Sequence, residues 1–112
     1  EILYRLMAAS YAVLYVSFFE GFGLPIVEAF NTQTTIITSN VSSMPEIAGD
    51  AALLVNPHSV DEIATAMLKL RWNPDLREQL IEAGKERATL FSWDKTAAAF
   101  WRTVEQLMPL IR

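Results

Sequence analysis

Three short apolar runs leave this chain few ways to fold. Each is stopped by glycine, asparagine or proline, and each is followed by a segment of helical spacing. The first, AVLYV, predicts a buried strand over Ala12–Val16, because it is rich in Val and Tyr and too short for a buried helix. TTIIT is β-branched almost throughout and predicts a second strand over Thr34–Thr38. AALLV predicts a third, ended by Asn56-Pro57. Strands that alternate with helices pair in parallel through right-handed crossovers. The expected class is therefore α/β: a partial doubly wound, Rossmann-like parallel sheet of about three strands with flanking helices.

The helical segments carry their own signals. Ile2, Leu3, Leu6, Met7 and Ala9 form a first stripe. Pro25 suits the first turn of a short helix, IVEAFN, where a missing N–H costs nothing. Asn40–Ser43 read as a polar loop, and Pro45 opens one helical turn that ends at Gly49. Ser59 with Glu62 three residues on predicts a capping box, followed by an inward stripe of Ile63, Ala64, Met67, Leu68 and Leu70. Asn73-Pro74-Asp75 opens another helix with Leu76, Leu80 and Ala83 on one face. Ser92 caps a last helix carrying Ala97, Phe100, Trp101, Val104 and Leu107, and one of Phe100 and Trp101 is expected in the core.

Composition narrows the function classes. Net charge is −4 and the nine basic residues form no run, so nucleic acid is not an expected partner. No segment approaches the apolar length of a membrane-spanning helix, and the opening EILYRLMAAS has no signal-peptide pattern. With no cysteine there are neither disulfides nor thiolate metal sites, which permits a cytosolic home. One histidine excludes a metal site built on several. The chain opens inside a helical stripe with no Met and no cap, so it is read as a piece of a longer protein.

Ligands in open α/β sheets bind at the carboxyl ends of strands, and the first strand here runs into EGFGLPIVE. Gly21 and Gly23 permit a tight backbone and close approach of a ligand. The helix starting near Pro25 aims free N–H groups and a partial positive charge into the loop, which suits a phosphate. Glu20 precedes the glycines, and Glu28 sits about one turn inside the helix, its side chain leaning back toward the start. A carboxylate accepts two hydroxyl hydrogen bonds at once, matching a ribose diol or a pair of sugar hydroxyls. Donors for a pyrophosphate and acceptors for sugars are what a nucleotide sugar requires. The plainer account stands beside this one: the dipole favours Glu28 with no ligand, and glycines are ordinary after a strand.

The spacing of Glu20 and Glu28 resembles the E-x7-E motif of family-4 glycosyltransferases, which have the two-domain GT-B fold. FEGFGLPIVEAF is similar to that family's core at nearly every position, and TSNVSSMPEIAGDAALLVNP to its strand–loop–strand segment. DEIATAMLKL, LREQLIEAGKERA and FSWDKTA fall where the family has similar helices. The resemblance implies that Glu20 is the catalytic-centre residue, contacting donor-sugar hydroxyls near the anomeric carbon without acting as an established nucleophile. It implies that Glu28 holds the ribose, and that Gly21 and the backbone of Phe22, Gly23 and Leu24 bind the donor. It implies a hexosyltransferase of the group 1 type, using a UDP- or GDP-linked sugar with retention, with no metal or other cofactor. The acceptor would be a glycan, lipid or small molecule, as in polysaccharide biosynthesis. Residues 1–112 would be a single partial domain, the C-terminal nucleotide-sugar-binding part of a larger enzyme. A basic Arg/Lys pair and the acceptor-binding domain would lie upstream, so this fragment alone is expected to be inactive. The location implied is cytoplasmic, with peripheral association of the full-length protein at the inner membrane surface left open.

Two departures stand out. Where the family commonly shows A-C/S-G-x-P, this chain has Asn31, Thr32, Gln33, Thr34 and Thr35, and Val16 replaces a common proline. The helix-to-strand turn is expected to be built differently. His58 reads as a lone surface histidine in a turn; Asp61 and Glu62 read as helix-start charges. Glu46 and Ser39–Ser43 lie on the ligand side of the sheet by strand polarity, where a helix start and a solvated loop explain them equally well. The rival readings are a GT-B sugar-nucleotide epimerase, against which the full E-G-F-G-L-P core argues, and a non-catalytic nucleotide-binding or interaction module. The first strand would sit at a sheet edge, with Leu3, Leu6 and Met7 partly uncovered, so the fragment is expected to self-associate.

Overall fold

The computed structural model describes residues 1–111. Nine elements follow in order: α1 (Ile2–Ala9), β1 (Ala12–Tyr15), α2 (Leu24–Asn31), β2 (Thr35–Ser39), α3 (Met44–Ala48), β3 (Leu53–Val55), α4 (Val60–Trp72), α5 (Pro74–Ala88) and α6 (Trp93–Ile111). The strands form one parallel sheet in the order β1-β2-β3, with Ala12 beside Thr35 and Ile37 beside Leu53. Each strand is slightly displaced from its apolar run. Val16 and Thr34 fall outside, Ser39 falls inside, and Ala51 and Ala52 are buried in the approach to β3.

Strand alternation sorts the core into two layers. Val13, Tyr15 and Ile36 pack on one face with Ile26, Ala29 and Phe30 of α2 and with Met44 and Ile47 of α3. Ala12, Ile37, Leu53 and Val55 pack on the other with Ala66 and Leu70 of α4 and Leu80 of α5. β2 is buried along its whole length because it has a strand on each side and helices on both faces. That suits its β-branched sequence. β1 is the sheet edge, as expected, and Leu3 and Leu6 are exposed, but Met7 is buried against α2. The Thr34 hydroxyl donates to the Met7 carbonyl at 2.9 Å and ties α1 down there.

Other expectations need correction. The Ser59 hydroxyl accepts from the Glu62 N–H at 3.2 Å, but the Glu62 carboxylate accepts from the Asn56 N–H at 2.7 Å, so only half a capping box forms. The Ser59 N–H is already committed to the Asn56 carbonyl oxygen within the turn. On α4 the inward stripe is Ile63, Ala66 and Leu70; Ala64, Met67 and Leu68 are exposed. A β3 of three residues offers only a narrow seam to cover. Ser92 caps α6 as expected, accepting from the Lys95 N–H at 3.1 Å. No residue of α6 is buried, and Phe100 and Trp101 both face solvent, because the helix extends past the body of the fold in a molecule 61 Å long and 28 Å wide.

The divergent turn after α2 is built on Gln33, which adopts φ 55°, the left-handed conformation that normally belongs to glycine. Its N–H donates to Phe30, and the Thr34 N–H to Ala29, closing the helix with hydrogen bonds that need that twist. A left-handed non-glycine residue costs about 1–2 kcal/mol, and glycine would return part of this in chain entropy. Gln33→Gly is therefore expected to stabilise the protein by about 0.5–1 kcal/mol, raising Tm by about 2–8 °C in a thermal melt. A lowered Tm would mean that the Gln33 side chain makes up for its backbone.

Candidate functional site

Beyond Tyr15 the chain leaves the sheet edge and turns into α2 at Gly23, which has φ 101° and ψ 50°. This left-handed residue is buried, and a Cβ on it would lie 3.2 Å from Ile26 Cδ1, so its backbone calls for glycine and its packing leaves little room for more. The first hydrogen bond of the helix start runs from the Ile26 N–H to the Gly23 carbonyl oxygen at 3.0 Å. The amides of Gly23 and Leu24 precede it, Pro25 has no N–H, and no side chain caps the end. The positive end of α2 thus opens onto the loop.

Gly21 differs. Its φ is not positive, and a Cβ built on it would meet no described atom within 4 Å. Nothing in the chain itself demands glycine at this exposed position. Phe22, also exposed, is fixed by an edge-on contact with the Phe91 ring at 5.8 Å between centroids. Leu24 is exposed at the helix start.

One group at the end of β1 that the sequence did not single out, the Tyr15 hydroxyl, feels the charges of both Glu20 and Glu28. Burial pushes the Tyr15 phenol up to about 12, reinforced by a hydrogen bond to Glu20, by the charge of Glu20 and then by that of Glu28. Conversely, the Tyr15 hydroxyl first, and the Ser17 hydroxyl second, hold the Glu20 carboxyl below the usual range, with slight desolvation opposing them. The two carboxylates, eight positions apart in sequence, are therefore both within electrostatic range of Tyr15. The signal for Tyr15 was present in principle: strand alternation places it with Val13 on the α2 side, at the carboxyl end of the strand.

The Ser39–Ser43 segment does adjoin this loop. Ser39 Oγ donates to the Ser17 carbonyl oxygen at 2.5 Å, and Ser42 and Ser43 reach the backbone of Glu20. Glu46 is exposed on α3 and contributes only its backbone carbonyl, which accepts from Arg87. His58 lies in the expected turn, but it is not alone: its ring stacks on Phe18 at 4.4 Å with 5° between planes. Among the described residues, no helix is long and apolar enough to cross a membrane.

Residues 1–87 match the family model described as Glycosyl transferases group 1, and the chain belongs to that family. It is 42% identical over 94 residues to the O-antigen chain mannosyltransferase B of Escherichia coli, covering 84% of this chain and 25% of that protein. It is 36% identical over 102 residues to the MMP alpha-(1->4)-mannosyltransferase of Mycolicibacterium hassiacum, covering 88% of this chain and 25% of that protein. Its fold matches sucrose-phosphate synthase from Thermosynechococcus elongatus with a TM-score of 0.84 and 27% identity, over 94% of this chain and 27% of that one. The chain thus spans about a quarter of the length of these relatives. The three-stranded sheet and its helices are the corresponding portion of a GT-B glycosyltransferase fold.

The Tyr15 phenol has a measurable consequence. Its folded-state value lies above that of a free tyrosine, so the folded protein holds this proton more tightly than the unfolded chain does. The resulting stability is complete below pH about 10 and is lost as pH rises toward about 12. Urea-unfolding midpoints measured across this window should fall less steeply for Tyr15→Phe than for the wild type. Parallel curves would remove Tyr15 from the carboxylate cluster.

Proposed function

We propose that this chain is the donor-binding part of a two-domain, retaining hexosyltransferase that takes its sugar from a nucleoside diphosphate. The observation that carries the reading is the uncapped start of α2 at the left-handed Gly23, with Glu20 in the loop before it and Glu28 one turn inside the helix. Open amides and a helix dipole suit a diphosphate; two flanking carboxylates suit hydroxyl groups on either side of it. Gly21 adds support, since close approach of a ligand explains a glycine that the chain itself does not need.

In this reading Glu28 accepts hydrogen bonds from the ribose hydroxyls, and Gly23 and Leu24 present amides to the diphosphate. Glu20 accepts from hydroxyls of the donor sugar near the anomeric carbon. The Tyr15 and Ser17 hydroxyls favour the ionised form of Glu20, the form that accepts hydrogen bonds. Departure of the diphosphate places negative charge at the start of α2, where the helix dipole and basic groups from the rest of the enzyme offset it. No metal is required, and the acceptor binds on the domain that faces this one. The relatives named as mannosyltransferases favour a mannosyl donor, GDP-linked or UDP-linked, and a glycan acceptor. Cytoplasmic work at the inner membrane surface fits a glycan assembled there.

The two carboxylates should separate kinetically in the longer enzyme. Glu28 contacts a part of the donor that is unchanged by the reaction, so Glu28→Gln removes binding common to ground and transition states and raises the donor KM. One charge-assisted hydrogen bond corresponds to about a tenfold to hundredfold effect. Glu20 lies where charge develops, so Glu20→Ala should lower chiefly kcat. Steady-state kinetics with a varied donor read both constants. Exchanged signatures would mean that the two roles are reversed, and unchanged constants would reduce the motif to a structural one.

A further inference from the structure

Two neighbouring serines break local rules in the same place. Ser42 adopts φ 59°, a left-handed conformation that serine seldom takes. Ser43 occupies the N-cap position of α3, where a serine hydroxyl ordinarily accepts from an amide of the first turn, yet its side chain makes no such bond. Both hydroxyls are engaged elsewhere. Ser42 Oγ accepts from the Glu20 N–H at 3.2 Å and donates to the Glu20 carbonyl oxygen at 2.8 Å. Ser43 Oγ shares its proton between the carbonyl oxygens of Glu20, at 2.9 Å, and Phe22, also at 2.9 Å.

Ser42 therefore satisfies both backbone groups of Glu20, as a neighbouring strand would, at a point where β1 has already ended. Ser43 fixes the two carbonyls that flank Gly21. Residues held in unfavourable backbone conformations, or diverted from a local cap, persist where the surrounding structure over-determines them, and such features cluster at functional sites. Here the shared object of both departures is the backbone of Glu20.

We infer that Ser42 and Ser43 are positioning residues for sugar transfer, fixing the Glu20 backbone so that its carboxylate stands in one place at the donor sugar. The inference rests on the role proposed above for Glu20. Neither serine needs to touch the donor. Their contribution is geometric: an exposed loop next to a glycine would otherwise sample positions from which the carboxylate misses the reacting centre. Misplacement of a group by about 1 Å costs up to about a hundredfold in rate.

The test is steady-state kinetics and thermal melting on the longer enzyme carrying this chain, with Ser42→Gly, Ser43→Ala, Ser43→Thr and Glu20→Gln. Glycine accepts the left-handed backbone at residue 42 without strain, so Ser42→Gly deletes the hydroxyl while leaving the chain able to fold. Ser42→Gly and Ser43→Ala are each expected to lower kcat about tenfold, with the donor KM within about twofold of wild type. Ser43→Thr keeps the hydroxyl and is expected to restore most of kcat. Wild-type kcat in Ser42→Gly and Ser43→Ala, while Glu20→Gln is impaired, overturns the positioning role alone. So does a kcat loss that only matches the fraction unfolded in the melt, or a Ser43→Thr enzyme as slow as Ser43→Ala. Wild-type kcat in Glu20→Gln overturns the underlying reading of Glu20, and the positioning role with it.

Discussion

The left-handed turn at Gly23 is the constraint from which the rest of the site follows. Between the end of β1 at Tyr15 and the start of α2 at Leu24 the chain crosses the loop of residues 16–23, and its last residue, at φ 101°, turns it into the helix. A side chain there would press on Ile26 and strain the backbone at once. The first turn of α2 starts at this residue with no side chain capping its amides. Glu28, one turn on, comes back within electrostatic range of Tyr15 on the strand.

The second dependence is on β2. It is buried along its length and paired with a strand on each side. Full burial of Ile36 and Ile37 alone is worth about 1.5–3 kcal/mol each. Two of its polar residues reach toward β1 and the loop, Thr38 Oγ1 donating to the Tyr15 carbonyl oxygen at 2.7 Å and Ser39 Oγ to that of Ser17, and the serines beyond bond Glu20 and Phe22. The buried Thr35 Oγ1 has no hydrogen-bond partner among the described residues. A rigid strand thus holds, through a row of hydroxyls, a loop that has little packing of its own. Phe22 on Phe91 and Phe18 on His58 anchor it from either side. Loops fixed on rigid scaffolds in this way are where binding functions ordinarily reside. Arg87 does equivalent work behind the loop: its guanidinium bonds the carbonyls of Glu46 and Ile47 and closes α3.

Much of this was legible in the residues, for reasons that differ by element. The three strands announced themselves because β-branched and aromatic runs bounded by Gly, Asn and Pro have few alternatives. Glu20 and Glu28 could be placed because strand polarity and helix lean are local rules. What escaped depended on distant partners. Tyr15 gained its meaning only from the charges of Glu20 and Glu28 nearby. Met67 and Leu68 of α4 continued an apolar pattern, but β3 was too short to receive them. The stripe of α6 is plain in the sequence, yet none of its residues is buried in this chain. Gln33 showed the opposite failure: the missing glycine suggested another kind of turn, and the backbone took the left-handed form regardless.

The central claim is that the loop between β1 and α2 binds a nucleoside diphosphate sugar. A crystal structure of the longer enzyme with its donor bound tests it most directly. The account predicts diphosphate oxygens within hydrogen-bonding distance of the Gly23 and Leu24 amides, the ribose hydroxyls on Glu28, and the sugar over Gly21 beside Glu20. A donor held elsewhere, with no contact to Glu20, Glu28 or the Gly23 and Leu24 amides, would contradict it.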